Sequence, residues 1–411
     1  MLDTTAIILA ITALFSFLNY RFIKLPTTIG VMVISLVISI VLLGLQYAGF
    51  DGITQQAQAF IQHVDFDEVV MKGMLSLLLF AGALHVNIND LLERKWAIGL
   101  MASIGVLLTT FIVGFVSFYI FAAFGFSIPL IYCLLFGSLI APTDPIAVLG
   151  ILKQAKAPKS LEIKITGESL FNDGIAVVVF VVLLGIAQGG EDMTVGHIVL
   201  VFAEEAIGGV VYGLVLGYLG YKMLTWVDNY QVEILITLAL VVSGYTLAGH
   251  IHVSGPLAIV VAGLMIGNKG RMFAMSDTSR EHLDTFWELI DEILNAVLFV
   301  LIGIEVLALA FDHMTLAVGF VLIPIILLAR LVSTTFLLGV LRLKETLTRH
   351  AEWILTWGGL RGAISVALAL ALPPGDIRDT ILTVTYIIVV FSILVQGLTL
   401  GKLIQVLIKK S

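Results

Sequence analysis

Charged residues are scarce in this chain. Only 12% of the 411 residues are Asp, Glu, Lys or Arg and 59% are hydrophobic, whereas about 25% of residues are charged in soluble proteins. This shortage excludes a protein built of soluble domains. The single cysteine, Cys133, excludes an intramolecular disulfide and a multi-cysteine metal site. The apolar residues do not alternate with polar ones, which excludes a porin-like barrel. We therefore predict an all-α integral membrane protein.

The apolar residues are concentrated in thirteen runs. A hydrocarbon core about 30 Å thick is crossed by roughly 20 helical residues, so each run is a candidate transmembrane helix. The segments between the runs are too short to bury a core of their own. The predicted spans lie at roughly 5–23, 27–46, 68–86, 96–124, 128–152, 161–188, 196–221, 232–250, 254–268, 283–311, 315–341, 351–372 and 380–408.

The distribution of Lys and Arg predicts the orientation, because these residues collect in cytoplasmic loops. With the N-terminus outside, all but four of the 22 Lys and Arg residues fall in predicted inner loops or in the C-terminal tail. The four exceptions are Lys72, Arg330, Arg361 and Arg378. We expect a multi-pass protein of the cell (inner) membrane, with its N-terminus outside and its C-terminus in the cytoplasm.

Thirteen spans divide into six, one and six, and two six-span units joined by one linking span must be inverted relative to each other. We predict a first repeat at 1–188, a linking helix at 196–221 and a second repeat at 232–411. Transporters of this kind place their site where one broken helix of each repeat meets at the midplane. Spans five and twelve fit this role, since they are interrupted at 141–145 and 357–362.

Two features of the spans leave alternatives open. The interruptions can be simple kinks, since membrane helices tolerate Pro and Gly. Gly209, Gly213 and Gly217 of the linking helix form a face of small residues, which can pack within the chain or form a dimer seam.

Charged residues inside spans cost about 2.5 to 3.5 kcal/mol each at a helix centre, so each needs a partner, a water-filled cavity or a function. The candidates are Asp144, Glu168, Asp173, Arg330 and Arg361. Arg361 follows the glycines of span twelve, where free carbonyls or the negative end of a half-helix can face it. We expect a structural role for Arg361 rather than contact with an ion.

Four polar side chains converge on one sector of span six. Ser169 and Asp173 are four residues apart, as are Glu168 and Asn172, which places each pair one helical turn apart. Carboxylates, hydroxyls and freed carbonyls are hard oxygen ligands, suited to a small alkali cation or a proton. The alternative is that Glu168 and Ser169 merely cap the helix. If proton and cation compete for one carboxylate, and only the loaded carrier changes face, the result is obligatory exchange.

Three motifs in this order resemble the cation:proton antiporter family 1, the sodium/proton exchangers of the NhaP type. They are Thr-Asp-Pro at 143–145, Glu-Ser-Leu-Phe-Asn-Asp-Gly at 168–174 and Trp-Gly-Gly-Leu-Arg-Gly at 357–362. The resemblance covers essentially the whole chain. It implies a homodimeric transporter, not an enzyme, which works by alternating access without a cofactor other than its cargo, Na⁺ and H⁺.

The resemblance also assigns roles to residues. It implies that Asp173 is the main ion- and proton-binding carboxylate, and that Asp144, Ser169 and the Thr143 carbonyl complete the Na⁺ site. Asn172 stands where electrogenic relatives have a second aspartate, which implies electroneutral exchange of one cation for one proton. It further implies that Glu168 pairs with an arginine of span eleven, where Arg330 is available.

Two other functions remain open from the residues. A potassium/proton antiporter can use the same scaffold, because cavity size and dehydration cost decide between the ions. Two aspartates on neighbouring membrane helices also describe an intramembrane aspartyl protease, although neither Asp144 nor Asp173 follows Gly-x-Gly. The expected partners are a monovalent cation such as Na⁺ or Li⁺, the proton, the lipid bilayer and a second copy of the chain, and no nucleic acid.

Overall fold

The computed structural model describes residues 2–49, 52, 55, 56, 58, 66, 69–144, 148, 152, 159–189, 195–309, 312–341 and 350–409. The regular structure in these ranges is helical. The helices are α1 Leu2–Leu18, α2 Thr27–Tyr47, α3 Leu75–Leu84, α4 Ile88–Glu93, α5 Lys95–Ala102, α6 Ile104–Ala123, α7 Leu130–Ile140, α8 Lys159–Ala187, α9 Val195–Leu224, α10 Tyr230–His250, α11 Gly255–Met265, α12 Arg271–Phe273, α13 Asp277–Glu305, α14 His313–Leu341, α15 Ala351–Trp357, α16 Ala363–Leu370, α17 Asp376–Phe391 and α18 Leu398–Lys409. Wider π-helical turns lie at Asn19–Ile23, Val69–Met74, Ile266–Gly270 and Ser392–Gly397.

Many of these helices are long and apolar enough to cross a bilayer. Within the described ranges, eight helical segments meet both conditions: Asp3–Ile23, Thr27–Gln46, Lys95–Ala123, Leu161–Ala187, Leu200–Leu224, Tyr230–His250, His313–Leu341 and Asp376–Leu407. Shorter apolar helices lie at Val69–Leu84 and Leu130–Ile140. The chain is therefore an all-α, multi-pass membrane protein. Fewer segments qualify than the thirteen predicted runs partly because α11 is short, α13 is charged in its first half, and α15 and α16 are separated by a break.

The polar residues that start several helices are N-caps. Asn229 Oδ1 accepts hydrogen bonds from the backbone N–H groups of Gln231 and Val232 at 3.1 and 3.2 Å. Ser276 Oγ accepts one from Ser279 at the start of α13. These bonds satisfy donors that have no partner inside the helix, so they fix where α10 and α13 begin.

Two helices end abruptly at the predicted interruptions. Helix α7 ends at Ile140, and the chain is not helical from Pro142 to Asp144. A second break separates α15 from α16 at residues 358–362. Proline lacks the N–H that would continue a helix. Pro145, and most of the half-helix expected to follow Asp144, lie outside the described residues.

Helix α8 occupies the centre of the structure. It packs against α5, α7, α9 and α11, and it also contacts α16. Nearby, α13 packs on α2 and α3, while α14 packs on α6, α15 and α17. The polar residues of α8 from 168 to 173 are consequently buried rather than facing lipid.

The glycines of α9 pack within the chain, against α11. A Cβ atom added at Gly213 would lie 2.9 Å from the Ala258 Cα atom, and one added at Gly217 would lie 3.1 Å from the Ala262 Cα atom. Larger side chains at these positions would force the two backbones apart. Of the two alternatives left open by the sequence, packing inside the chain is the one that these contacts show.

Candidate ion-binding site

The two interruptions meet each other. The Asp144 N–H donates a hydrogen bond of 2.8 Å to the Leu360 carbonyl. A Cβ atom added at Gly362 would lie 2.8 Å from Asp144 Oδ2, so this close approach requires glycine. Residues more than 200 positions apart are thereby brought into direct backbone contact.

Arg361 stabilises the end of α7. Its buried guanidinium donates from Nη1 to the carbonyls of Ala141 and Pro142, at 2.6 and 2.8 Å, and its backbone N–H donates to Ser392 Oγ at 2.9 Å. The last carbonyls of a helix have no partner inside the helix and form its negative end. The positive charge of Arg361 therefore compensates the open end of α7, which is a structural contact.

Helix α8 holds the first interruption from the other side. Thr143 Oγ1 lies 2.9 Å from Ser169 Oγ and accepts a hydrogen bond of 2.8 Å from Asn172 Nδ2. The Thr143 N–H also points at Asn172 Oδ1, at the long distance of 3.5 Å. These contacts use the Thr143 hydroxyl and N–H, and none of the hydrogen bonds between described residues uses its carbonyl oxygen.

Asp144 and Asp173 line one cavity, together with Thr143. The cavity has a volume of about 60 Å³, which is room for a few water molecules. Only 3% of Asp173 is exposed, and no hydrogen bond or ion pair joins its carboxylate to another described residue. Ser169, although buried, is not part of the cavity wall and lies behind Thr143.

Glu168 and Arg330 form a buried ion pair between α8 and α14. Arg330 Nη2 contacts Glu168 Oε1, and the two side chains are 5% and 2% exposed. A Cβ atom added at Gly359 would lie 3.1 Å from Arg330 Nε, so the pair also borders the second interruption. Because the charges neutralise each other, this pair adds no net charge beside the cavity.

The expected site residues thus fall into three groups. Asp144, Asp173 and Thr143 share the cavity wall. Ser169 and Asn172 hold Thr143 in place, and Glu168, Arg330 and Arg361 make buried charge-compensating contacts. The cavity wall thus contains two carboxylate side chains, which are hard oxygen ligands suited to a small cation or to a proton.

Sequence reasoning missed two polar residues of the same cavity. Asn295 of α13 and Ser365 of α16 line it and are buried. Ser365 lies in an apolar segment and Asn295 lies at the boundary between the charged and the apolar half of α13, and no motif marks either residue. The one available signal was that Asn295 is the last strongly polar residue before the apolar half of α13.

Comparisons with known proteins agree on one family. A family model described as "Sodium/hydrogen exchanger, transmembrane" matches residues 7–406. The chain is 54% identical over 409 residues to the Na(+)/H(+) antiporter NhaP of Pseudomonas aeruginosa, covering 98% of this chain and 96% of that protein. It is 32% identical to the Na(+)/H(+) antiporter NhaH of Halobacillus aidingensis, covering 94% and 93%. The structure of the sodium proton antiporter MjNhaP1 from Methanocaldococcus jannaschii shares the fold, with a TM-score of 0.76, 19% identity and coverage of 98% and 97%.

Proposed function

Because the chain belongs to the sodium/hydrogen exchanger family, we propose that it is a sodium/proton antiporter that exchanges one monovalent cation for one proton. The observation that carries this proposal is the cavity at the meeting point of the two interruptions, which Asp144 and Asp173 line together. Oxygen ligands of this kind suit Na⁺ and Li⁺.

Asp173 is the group for which the proton and the cation compete. Its carboxylate is buried and has no partner among the described residues. An unpaired buried charge is costly, so a proton or a cation must neutralise Asp173 before the cavity can close. A carrier that changes face only when Asp173 is neutralised performs obligatory exchange, since each passage carries one cargo or the other.

Asp144 and the Thr143 carbonyl complete the cation site, and Ser169 acts through Thr143. The Thr143 carbonyl is free of hydrogen bonds from described residues, while the Thr143 side chain is held by Ser169 and Asn172. Such fixed geometry keeps the ligands in place without further ordering when the cation arrives.

The exchange is electroneutral in this scheme. Asn172 is neutral, Glu168 and Arg330 neutralise each other, and Arg361 supplies a fixed positive charge at the interruption that carries Asp144. Asp173 is then the one carboxylate whose charge changes during the cycle. One proton exchanged for one monovalent cation moves no net charge.

The architecture that we propose for this cycle has thirteen transmembrane helices. Two inverted six-helix repeats, at 1–188 and 232–411, are joined by the linking helix at 196–221, and broken helices five and twelve cross at the midplane. We place the protein in the cell (inner) membrane as a homodimer, with its N-terminus outside and its C-terminus in the cytoplasm. Na⁺ and H⁺ are its cargo, and we propose no cofactor and no enzymatic activity.

Purified protein in proteoliposomes tests the function. A pH-sensitive dye inside the vesicles should report proton movement when sodium or lithium is added outside. The dye should show a smaller response or none when potassium is added instead. Asp173→Asn should abolish the response, while Asp376→Asn, which changes an exposed carboxylate of α17, should retain it. Sodium-driven proton movement in folded Asp173→Asn protein would contradict the assignment, and a response to potassium alone would favour the potassium/proton alternative.

A further inference from the structure

Asn295, a residue of the cavity wall, has a side-chain oxygen to which no described residue donates a hydrogen bond. The residue is 2% exposed and lines the cavity of Asp144 and Asp173. Its Nδ2 donates to the Asp291 carbonyl at 2.7 Å and to Asp291 Oδ1 at 3.1 Å. Both bonds require the nitrogen of the amide to face Asp291, so they fix the orientation of the side chain. Asn295 Oδ1 is left without a hydrogen-bond donor among the described residues.

Ser365, a second residue of the cavity wall, also has a side-chain oxygen without a described partner. It is 1% exposed, it lies in the first turn of α16, and its Oγ has no hydrogen-bond partner within the described part of the chain. Leaving a buried polar atom unpaired costs free energy, and folded proteins rarely do so without a reason. Two such oxygens on different helices that border one cavity indicate a ligand between them.

We infer that Asn295 Oδ1 and Ser365 Oγ are additional ligands of the transported cation, an inference that rests on the proposed antiport. Together with Asp144, Asp173 and the Thr143 carbonyl they bring oxygens from α8, α13, α16 and the first interruption to one cavity. An amide oxygen and a hydroxyl are hard donors of the kind that alkali cations take in place of water.

These two ligands distinguish the cation from the proton. A cation needs several oxygens to replace its water shell, whereas a proton binds to one carboxylate oxygen. Both new ligands are neutral, so removing them leaves the charge of the site unchanged. Their loss should weaken cation binding and leave proton binding at Asp173 nearly as it is.

Asp291 is a positioning residue in this arrangement. It accepts a hydrogen bond from the Asn295 amide nitrogen and so keeps that nitrogen turned away from the cation. Asp291 itself is half-buried, and Glu288, one turn before it on α13, is exposed. Removing the Asp291 carboxylate leaves one of the two anchoring bonds, so the effect on cation binding should follow that of Asn295 but be smaller.

The test is a sodium titration of antiport in proteoliposomes. Asn295→Ala should raise the KM for sodium about tenfold, the loss that corresponds to one good polar contact, with kcat within about twofold of the parent protein. Ser365→Ala should raise KM in the same direction, and Ser365→Thr, which keeps the hydroxyl, should restore it. The pH dependence at saturating sodium should stay unchanged in all of these variants.

Matched controls separate ligand loss from loss of packing. Asn19 is a buried amide that is not in the cavity wall. Its nitrogen donates to the Leu25 carbonyl and its oxygen accepts from the Leu25 N–H. Asn19→Ala should therefore lower thermal stability without raising the KM for sodium. Ser138 is a buried hydroxyl bonded to the Leu135 carbonyl, and Ser138→Ala should leave KM unchanged.

A binding measurement independent of transport completes the test. Sodium chloride, compared with choline chloride, should raise the melting temperature of the purified parent protein, and this shift should be reduced in Asn295→Ala and in Ser365→Ala. Unchanged KM and unchanged sodium stabilisation in both folded variants would overturn the inference while leaving the antiport intact. Absence of cation-driven proton movement in the parent protein would instead overturn the proposed function itself.

Discussion

Replacing Arg330 by methionine should strongly destabilise the protein. The change keeps a long side chain between α8 and α14 but removes the charge that neutralises Glu168. With side-chain exposures of 5% and 2%, neither member of the pair can recover its lost partner from bulk water. Breaking a buried pair costs about 3 to 5 kcal/mol, because the remaining charge stays buried and uncompensated.

The same reasoning predicts that the two substitutions are not additive in a double-mutant cycle. Glu168→Gln alone should cost a similar amount, since it leaves Arg330 unpaired. The double variant Glu168→Gln/Arg330→Met leaves no buried charge at this position, so it should recover much of the loss of either single variant. The change in unfolding free energy of the double variant, minus the sum of the changes in the two single variants, is the coupling energy of the pair.

Melting curves of the purified variants in detergent provide the assay. Arg378→Met is the matched control, because Arg378 pairs with Asp379 at 3.3 Å with side-chain exposures of 28% and 61%, and surface pairs contribute about 0 to 1 kcal/mol. If Arg330→Met melts like the parent protein, or if the double variant is no more stable than the worse single variant, Glu168 and Arg330 do not stabilise the fold as a pair.

Three further results follow from the structure and from the proposed cycle. A potassium–valinomycin potential of either sign should not change the rate of exchange by the parent protein. Asn172→Asp, which adds a titratable charge, should make the rate depend on the potential. If the rate of the parent protein already depends on the potential, Asn172 does not determine electroneutral exchange. The pKa of Asp312 is lowered chiefly by the backbone hydrogen bond from Thr315 and also by that residue's hydroxyl. Its carboxylate should therefore stabilise α14 at pH values above its unfolded pKa near 3.8, and this contribution should be lost as the pH falls through the lower folded pKa. The difference in melting temperature between the parent protein and Asp312→Ala should shrink in acid, and a difference that persists there would exclude the charge as its cause. Gly213→Leu should destabilise the α9–α11 contact by about 1 to 3 kcal/mol or more. Gly339→Leu is the control and should melt like the parent protein, because a Cβ atom at Gly339 meets nothing within 4 Å. Equal melting temperatures of the two variants would contradict the packing argument.

The membrane class and the family could be predicted from the sequence because both depend on local features. Apolar runs report transfer into lipid residue by residue, whatever the tertiary fold. The Pro and Gly residues at 141–145 and 357–362 weaken helices for local reasons. The predicted family is confirmed by the match to residues 7–406. The number of spans and the inverted repeat stay predictions.

Some features of the site were also visible in the sequence. Glu168, Ser169, Asn172 and Asp173 lie within six residues of one another, and a helix places them on neighbouring faces by its period alone. A charge inside an apolar run, such as Arg330, is conspicuous because its cost in lipid demands a compensating contact. Such residues can be found without knowing what they touch.

What each side chain touches was decided by the tertiary structure. Arg361 meets the carbonyls of Ala141 and Pro142 from about 220 residues away, and no local pattern contains that information. Asn295 and Ser365 are inconspicuous in sequence because an amide or a hydroxyl in an apolar helix usually bonds to its own backbone. Packing placed both at one cavity and left their oxygens without donors, because a polar atom is free or paired only with respect to neighbours that folding brings close.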